Sequence, residues 1–553
     1  MENKKEKTTK ISIFLHKEKV RVIESCLKES EEIIYDEIFD LDENLDLEGK
    51  IYIGKNTTGN QPAWSRDLNK LSNKEIVFEP NLSNRAVAII KYENRFFSIA
   101  FGYGRMMLNL NSIVKNFGLK VAANVLDEDK LSKVSTRNIG NSSMVNNTTQ
   151  PVLPLNINQT SIDTYTNIFK SLSGVPLNDS IGTMVTGSES LQVRGKINFS
   201  NLKSIIREYY NLYKHDYYID NGFEWIDNIR IENDKEITDE LDKKLLSSIA
   251  DDPQNIVIQT NFEGEMDTIE GFYISGTGSK VDDIISNPLK YQYYIDNINK
   301  YLKKGNKKLI QKLQSNQIHA RDFDGNQEKI TSVYNGIVFE TVYQKSKYIL
   351  ISGDWYKVNS EYYGRVSNNI KQIPVAGIAF PKFKFLKEPQ PKGDDKRERE
   401  DVYNERISDD NYILMDKKNY RSVQGKNQSI EPCDLFSLNP KRFIHVKVGN
   451  SSSALSHLFN QAYISAQLFP TDLSFKKHIR ELLPTNKQSI INLEDSNSEY
   501  EIVIAIVDQS DRSIYDVIPF FSKISLDNIS QRIKSMGYKL SLLKIDVEVV
   551  DEL

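Results

Sequence analysis

The chain lacks the features that define several large protein classes. Its 553 residues include two cysteines, Cys26 and Cys433, which are too few for a disulfide framework or a cysteine-based zinc site. No stretch approaches the roughly 20 apolar residues that span a bilayer. The charged segment Met1–Lys10 is not followed by the apolar run of a secretory signal. We therefore expect a reduced, cytoplasmic protein with no membrane contact.

Two more absences narrow the range of functions. The phosphate-binding pattern Gly-x4-Gly-Lys-Ser/Thr does not occur, which argues against a P-loop ATPase. The net charge is −4, so no overall basic field attracts nucleic acid. By contrast, 39% hydrophobic and 27% charged residues are ordinary for a globular protein. A chain of this length predicts about three or four domains, each able to bury a core.

Composition and periodicity divide the chain into four regions and predict a multidomain, mixed α/β (α+β) protein. We place an N-terminal α/β domain at 1–150, a second α+β region at 151–285 and a basic α+β region with a hairpin at 286–390. A last α/β domain occupies 391–553. Its boundary follows the proline-containing, densely charged stretch Lys387–Glu400, which is typical of a linker or an exposed loop.

In the first region, short apolar runs predict strands. Ile11–Leu15 is one, and residues 86–92 and 95–102 form a hairpin around the turn pair Glu93-Asn94. The helical spacing of Met106–Phe117 predicts a helix that Gly118 ends.

The third region contains the most basic part of the chain. Between Lys290 and Lys347, eleven lysines and arginines stand against five acidic residues. Tyrosines at 291, 293, 294 and 301 lie among these cations, a mixture found in nucleic-acid grooves. A solvated helix face explains the pattern equally well. The candidate nucleic-acid-binding residues are Lys303, Lys304, Lys307 and Lys308.

The last region has the order helix, strand, strand, strand, helix, strand. The second helix shows the clearest pattern, because its apolar residues recur at helical spacing and predict one buried face. The predicted elements are Asp401–Ile407, Tyr412–Met415, Cys433–Phe436, Arg442–Val448, Ser453–Phe469 and Glu501–Val507.

Polar residues at the ends of these elements form a candidate site. Alternation along a strand places His445 and Lys447 on one face. If the Cys433–Phe436 strand pairs with theirs, Asp434 reaches the same face. A carboxylate such as Asp434 suits Mg²⁺, and a lysine beside it can stabilise charge that develops on a phosphate. Glu405, on the preceding helix, would complete the acidic set.

Two further residues assist this candidate site. Gln461 follows His457 by one helical turn, and its amide can fix the lysine or the substrate backbone. Glu431 can replace a missing carboxylate, so the candidate metal ligands are Asp434, His445 and Glu431. The alternative is that Asp434 is a solvated strand end and Lys447 an exposed edge residue.

This order of parts resembles the active site of restriction-endonuclease-type, or PD-(D/E)xK-like, nucleases. One position departs from that pattern, because His445 stands where a carboxylate is expected. Imidazole is a poor ligand for Mg²⁺. A softer ion such as Mn²⁺, a substitute carboxylate from Glu431 or Glu405, or an inactive site would each account for it.

The whole chain also resembles a sporadically distributed bacterial family associated with mobile elements and defence loci. In that family the His-Val-Lys triplet is the normal form, so His445 is a family trait. The segments that support the resemblance are Pro62-Ala-Trp64, Phe96–Arg105, Asn116–Leu119, Phe223–Asp227, Asp354–Tyr356, Tyr403-Asn404, Glu431–Asp434, Ile444–Lys447, Leu455–Gln461 and Pro519–Lys523.

The resemblance implies a restriction-endonuclease-like C-terminal core in a nucleic-acid-binding protein of anti-phage or foreign-DNA defence. We expect metal-dependent cleavage with Mg²⁺ or Mn²⁺, on DNA rather than RNA, and the sequence is compatible with a homo-oligomer. The alternative is a catalytically inactive nuclease fold that senses nucleic acid or a phage protein. The sequence leaves open whether the chain is an enzyme.

Overall fold

A computed structural model describes most of the chain. The described residues are 9–28, 35–55, 84–138, 145–160, 162, 164, 167–251, 256–260, 262, 268–303, 308–386, 397–421, 429–449 and 452–550. They divide into two compact units. The first contains Met1–Arg137, Asn146–Asp227 and Asn233–Lys235, and the second contains Asn138–Val145, Asn228–Glu232 and Glu236–Leu553.

The first unit is built on a ten-stranded sheet of order β2-β3-β4-β5-β1-β10-β9-β8-β6-β7. Its strands are β1 Thr9–Leu15, β2 Tyr35–Asp40, β3 Glu48–Lys55, β4 Asn84–Tyr92, β5 Arg95–Gly102, β6 Leu126–Asn138, β7 Val145–Thr149, β8 Asn167–Pro176, β9 Met184–Gly187 and β10 Leu191–Gly195. Among the described residues, the helices α1 Phe117–Val125 and α2 Leu202–Lys214 accompany them. The predicted strand Ile11–Leu15 and the hairpin around Glu93-Asn94 are confirmed as β1 and β4–β5.

The helix predicted at Met106–Phe117 is wrong. Single 3₁₀ turns occupy Gly104–Met107 and Leu110–Ser112, and α1 begins where the predicted helix ends. Gly118 lies inside α1, where a Cβ atom would come within 2.0 Å of the Ser190 carbonyl oxygen. This glycine is therefore required for close packing of helix on strand, and it does not terminate a helix.

The second unit contains several smaller sheets and the remaining helices. Its strands are β11 Ile229–Ile231, β12 Val257–Ile258, β13 Ile269–Ile274, β14 Gln317–Asp322, β15 Gln327–Ser332, β16 Ile337–Tyr343, β17 Ser346–Ile351, β18 Asp354–Val358, β19 Phe383–Leu386, β20 Tyr412–Leu414, β21 Tyr420–Arg421, β22 Ser429–Ile430, β23 Leu435–Leu438, β24 Lys441–Val448, β25 Glu501–Val507, β26 Lys539–Ile545 and β27 Val547–Val550. Its helices are α3 Lys235–Asp251, α4 Val281–Ile284, α5 Gln292–Lys303, α6 Leu309–Ser315, α7 Val333–Gly336, α8 Ser360–Lys371, α9 Glu400–Ile407, α10 Ser452–Thr471, α11 Leu473–Leu482, α12 Ile514–Val517 and α13 Phe520–Ser535.

Five strands of the second unit form the sheet that positions the candidate site. Their order is β20-β23-β24-β25-β26. The pairs β20–β23 and β23–β24 are antiparallel, and the pairs β24–β25 and β25–β26 are parallel. Parallel strands are buried on both faces, which explains the nearly continuous apolar run of β25. The mixed α/β class expected from the sequence is confirmed, as is the order of the six predicted elements around this sheet.

The two faces of this sheet have separate cores. On one face, Ile444 and Val446 of β24 pack with Tyr403 and Ile407 of α9. On the other, Phe443 packs against α10, whose buried residues are Leu455, Leu458, Phe459, Ala462, Ala466 and Phe469. These are the residues that the helical spacing assigned to one buried face.

Sheet pairing crosses all three domain boundaries placed from the sequence. The boundary at residue 150 falls inside the ten-stranded sheet, since β10 pairs with β1. The boundary at 285 separates β13 from β14, which are hydrogen-bonded partners. The boundary at 390 separates β19 from β27, which pair in parallel. Composition changes mark loops here, and non-local strand pairing decides which segments fold together.

Within the described ranges, none of the helices combines the length and the apolar character needed to cross a bilayer.

The packing of α10 on the sheet gives a stability prediction. Leu458 is fully buried, so Leu458→Ala should lower the free energy of unfolding by about 2–5 kcal/mol. Hydrogen exchange of β24 and β25 amides measures the loss. Gln467→Ala, at an exposed position of the same helix, should change it by less than about 0.5 kcal/mol. Equal exchange in the two variants would contradict this arrangement of the core.

Candidate metal centre

The site begins where β23 separates from β24. Leu435 pairs with Ile444, and Asp434 precedes β23 by one residue. The Asp434 N–H donates to the Ile444 carbonyl at 3.1 Å, and its carboxylate Oδ2 accepts the Val446 N–H at 2.7 Å. A side chain therefore satisfies the strand amide that would otherwise lose its partner as the two strands part.

The main chain of Asp434 also holds the segment that follows β20. Its carbonyl oxygen accepts the N–H groups of Met415 at 2.9 Å and Asp416 at 3.0 Å. Glu431 joins the same turn, since its Oε1 accepts the N–H of Lys417. Backbone hydrogen bonds thus bring three separate acidic residues, Asp416, Glu431 and Asp434, to one place.

The three side chains form a compact carboxylate cluster. One carboxylate oxygen from each of Asp416, Glu431 and Asp434 lies within 4.8 Å of the other two, and all three residues are partly buried. We call these residues the acidic cluster. Carboxylate oxygens are the type of ligand that Mg²⁺ and Mn²⁺ use in proteins.

Burial and mutual repulsion make the acidic cluster costly when it is fully ionised. Burial raises the pKa of Asp434 to about 8, against the opposing Val446 N–H, and the charges of Glu431, Asp416 and Glu400 raise it further. Burial also raises the pKa of Glu431, as does Asp416, while the Lys417 N–H and the Lys447 amine oppose the rise. A proton or a cation is needed to neutralise these groups.

Helix α9 supplies two more groups to this neighbourhood. Asn404 is fully buried, and its Nδ2 donates to Asp416 Oδ2 at 3.3 Å and Asp434 Oδ1 at 3.4 Å. Its Oδ1 is buried without a hydrogen-bond partner among the described residues. Glu400 lies one turn earlier on the same face of the helix.

Lys447 reaches the same electrostatic neighbourhood. Its Nζ pairs with Glu400 at 2.8 and 3.1 Å, and both side chains are about one-third exposed. Lys447 lowers the pKa of Glu431 and Glu400 raises the pKa of Asp434, so the ion pair contributes to the electrostatics of the acidic cluster. The predicted partners Asp434 and Lys447 are thus both partly buried, and neither is sealed in the interior.

His445 has a different environment. It alternates with the apolar residues Ile444 and Val446, so it shares a strand face with Lys447, as the sequence predicted. However, its side chain is 2% exposed, and its Nε2 has no hydrogen-bond partner in the described part of the chain. Burial lowers the pKa of His445 to about 3, so the imidazole is neutral. It is not part of the acidic cluster, where Asp416 occupies the third position.

The two residues predicted to assist the site, Glu405 and Gln461, are not part of the acidic cluster. Glu405 is exposed on α9, because Tyr403 and Ile407 define the buried face and Glu405 is rotated about 200° from Tyr403. Gln461 is partly buried on α10, one turn before Ser465, whose hydroxyl donates to the Glu431 carbonyl at 3.2 Å. Helix α10 therefore touches the cluster through Ser465.

The basic patch of the third region is described only in part. Lys304 and Lys307 lie outside the described residues, Lys303 ends α5, and Lys308 is exposed. Tyr294 is fully buried, and the tyrosines at 291, 293 and 301 pack against the same core. These rings contribute to the core of the second unit, and nucleic-acid binding by the four lysines stays a prediction.

Three residues at the site, Asp416, Asn404 and Glu400, were not selected from the sequence. Asp416 carried a usable signal, because it follows a predicted strand just as polar site residues often do. For Asn404 and Glu400 the signal was the helical phase set by Tyr403 and Ile407, which points position 404 inward and position 405 outward.

The raised pKa of Asp434 predicts a pH-dependent stability. Folding favours the protonated carboxyl, so its stabilising contribution is complete below about pH 4 and is lost as pH rises through about 8. In EDTA, the free energy of unfolding should therefore fall over this window, by up to about 1.4 kcal/mol per pH unit. Asp434→Asn should remove most of this dependence in urea denaturation followed by circular dichroism.

Glu405→Gln is the matched control, since it removes an exposed carboxylate from the neighbouring helix. It should leave the dependence of stability on pH unchanged. An Asp434→Asn profile parallel to that of the parent protein would show that the Asp434 carboxyl is not perturbed by folding.

Comparison with known proteins gives one match. No curated protein and no solved structure matches the chain. A family model described as a family of unknown function, DUF6119, matches residues 11–546, which include every residue of the acidic cluster together with Lys447 and His445. The chain therefore belongs to the DUF6119 family.

Proposed function

We propose that the C-terminal region of this protein is a metal-dependent nuclease that hydrolyses phosphodiester bonds in nucleic acid. The observation that supports the proposal is the acidic cluster, with three carboxylate oxygens within 4.8 Å of one another beside the Lys447–Glu400 pair. A pair of hard-ligand carboxylates and an adjacent lysine are the groups that such chemistry requires.

The acidic cluster has the chemistry of a site for a hard divalent cation. Three neighbouring carboxylates repel one another, and a Mg²⁺ or Mn²⁺ ion would relieve that repulsion. The Oδ1 of Asn404, for which the described residues provide no hydrogen-bond partner, is a further buried oxygen on the residue that contacts Asp416 and Asp434. Mg²⁺ or Mn²⁺ is therefore the proposed cofactor, held by Asp416, Glu431 and Asp434.

The bound cation would polarise a phosphate oxygen and make a water molecule more acidic. Lys447 has the charge to stabilise the phosphorane-like transition state, and Glu400 holds its amine at the edge of the cluster. Asn404 keeps Asp416 and Asp434 in place. His445 lies outside the acidic cluster, so it is not among the proposed ligands.

The arrangement supports a restriction-endonuclease-like core. The region runs α9, β20, β23, β24, α10, β25, with the proposed site at the divergence of β23 from β24. The carboxylate that this type of site expects at position 445 is supplied by Asp416 and Glu431. DNA as the polymer, and a role in defence against phage or other foreign DNA, rest on the family resemblance of the sequence.

A second function follows from one feature of the site. The Lys447 amine is already bound by both carboxylate oxygens of Glu400. If that pair is permanent, the lysine cannot assist catalysis, and the fold would bind nucleic acid or a phage protein without cutting it. The two functions make different predictions for cleavage and the same prediction for metal binding.

Metal binding is the first test. Titration of the full chain with Mn²⁺, followed by calorimetry at pH 8, should show one site whose affinity falls at least about tenfold in Asp434→Asn and in Asp416→Asn. Affinity should rise with pH because the cation competes with the proton on Asp434. Glu405→Gln should bind as the parent protein does, and an unchanged affinity in both cluster variants would exclude this metal centre.

Cleavage is the second test. The full chain is incubated with single- and double-stranded DNA and with RNA, in Mg²⁺ or Mn²⁺, with and without phage lysate. A nuclease should lose about 100-fold or more in rate in Lys447→Ala while it retains Mn²⁺ affinity. Glu405→Gln should cleave at the parental rate. Metal binding without cleavage under all these conditions would favour the binding protein over the enzyme.

A further inference from the structure

A second polar site lies in the other half of the same unit. Strands β16 and β17, helix α8 and the segment from Arg512 to Lys523 enclose a cavity of about 190 Å³. Its charged lining residues are Glu340, Lys347, Arg512, Asp516 and Lys523. We call it the Lys523 cavity. It shares no residue with the acidic cluster.

Glu340 neutralises the positive groups on one wall of the cavity. Helix α13 begins at Phe520, and the Glu340 carboxylate accepts the N–H groups of Phe520 at 3.0 Å and Phe521 at 3.4 Å. The same carboxylate pairs with Lys347 at 3.0 Å. The positive end of the helix therefore has its anion within the chain, and it offers no vacant anion site.

Lys523 has no such partner. Its side chain is 7% exposed and lines the cavity, yet its amine makes neither a hydrogen bond nor an ion pair with the described residues. The Tyr363 ring is 5.9 Å away. Burial lowers the pKa of the Lys523 amine, and the charges of Asp516 and Glu340 oppose this without forming an ion pair with it. The cavity thus contains a cation for which the described chain supplies no direct anion.

The charge and the size of the Lys523 cavity restrict which ligand it could bind. Three cationic and two acidic side chains line the cavity, which leaves one formal positive charge in excess. The volume is below the roughly 300–1,000 Å³ of pockets for drug-sized ligands. An anionic group of a few atoms fits, and arginine together with lysine favours phosphate oxygens over a carboxylate.

We propose that the Lys523 cavity binds the phosphate group of a small ligand, with Lys523 and Arg512 as its cationic contacts. Lys523 supplies the buried charge, and the exposed Arg512 closes the site from the solvent side. Lys347 remains paired with Glu340 and adds to the positive potential. This binding site is independent of the proposed nuclease reaction.

Calorimetry on the full chain in EDTA tests the proposal with four probes. Inorganic phosphate and adenosine monophosphate carry the phosphate group free or as an ester, adenosine lacks it, and acetate replaces it with a carboxylate. We expect binding of one or both phosphate probes and weaker or no binding of acetate and adenosine. If no phosphate probe binds at millimolar concentration, or if adenosine and acetate bind as well as phosphate, the proposal is overturned.

Variants locate the binding. Lys523→Met keeps the apolar length of the side chain and should weaken phosphate at least about tenfold. Lys371→Met is the matched control, because it removes an exposed lysine that influences Lys523 but does not line the cavity. It should leave the affinity within about twofold. Phosphate affinity that is unchanged in Lys523→Met would place the anion elsewhere.

Two further measurements guard against misfolding and against binding at the acidic cluster. Without ligand, Lys523→Met should melt at the parental temperature or above it, since it loses an uncompensated buried charge. If Lys523→Met does not fold, Arg512→Ala, at an exposed position, must show a severalfold loss of phosphate affinity for the proposal to stand. Asp434→Asn should bind phosphate with the parental affinity, and a change of affinity in either direction would assign the phosphate to the cluster instead.

Discussion

The hydrogen bond from the Val446 amide to the Asp434 carboxylate determines the candidate site. It replaces the backbone hydrogen bond that Val446 would lose where β23 separates from β24, and so it holds a carboxylate between the two strands. The carbonyl of the same residue orders the segment after β20 through Met415 and Asp416. One residue thus supplies the first acidic group and positions the second, and the buried location raises the pKa of its carboxyl to about 8.

In the described part of the chain, backbone amides hold the carboxylates of the acidic cluster in place. Val446 and Lys417 donate N–H groups to Asp434 and Glu431, while the amine of Lys447 is directed to Glu400. The oxygens are therefore fixed in position but remain short of positive charge, which is the condition under which a protein site gains most from a divalent ion. The Lys523 cavity shows the opposite imbalance, a buried cation without an ion pair to the described residues.

The sequence predicted local structure around the site with good accuracy where one periodicity dominated. The apolar spacing in α10 predicted its buried face, and the uninterrupted apolar run of β25 predicted a strand covered on both sides. The predicted domain boundaries are crossed by pairings such as β1 with β10 and β19 with β27, which join segments far apart in the chain. Composition records where loops are exposed, and it contains little information about which strands become neighbours.

For the candidate site, the sequence by itself determined the residue types and the strand alternation that puts His445 and Lys447 on one face. Only the tertiary structure decided their surroundings. The spacing of the ligand atoms leaves His445 outside the acidic cluster, and the phase of α9 brings Asn404 and Glu400 to the site in place of Glu405. Asp416 is held at the site because its N–H donates to the carbonyl of Asp434, 18 positions away in the chain. The physical reason is that solvation, charge and ligand spacing depend on distances between separate segments, and alternation along one segment does not fix those distances.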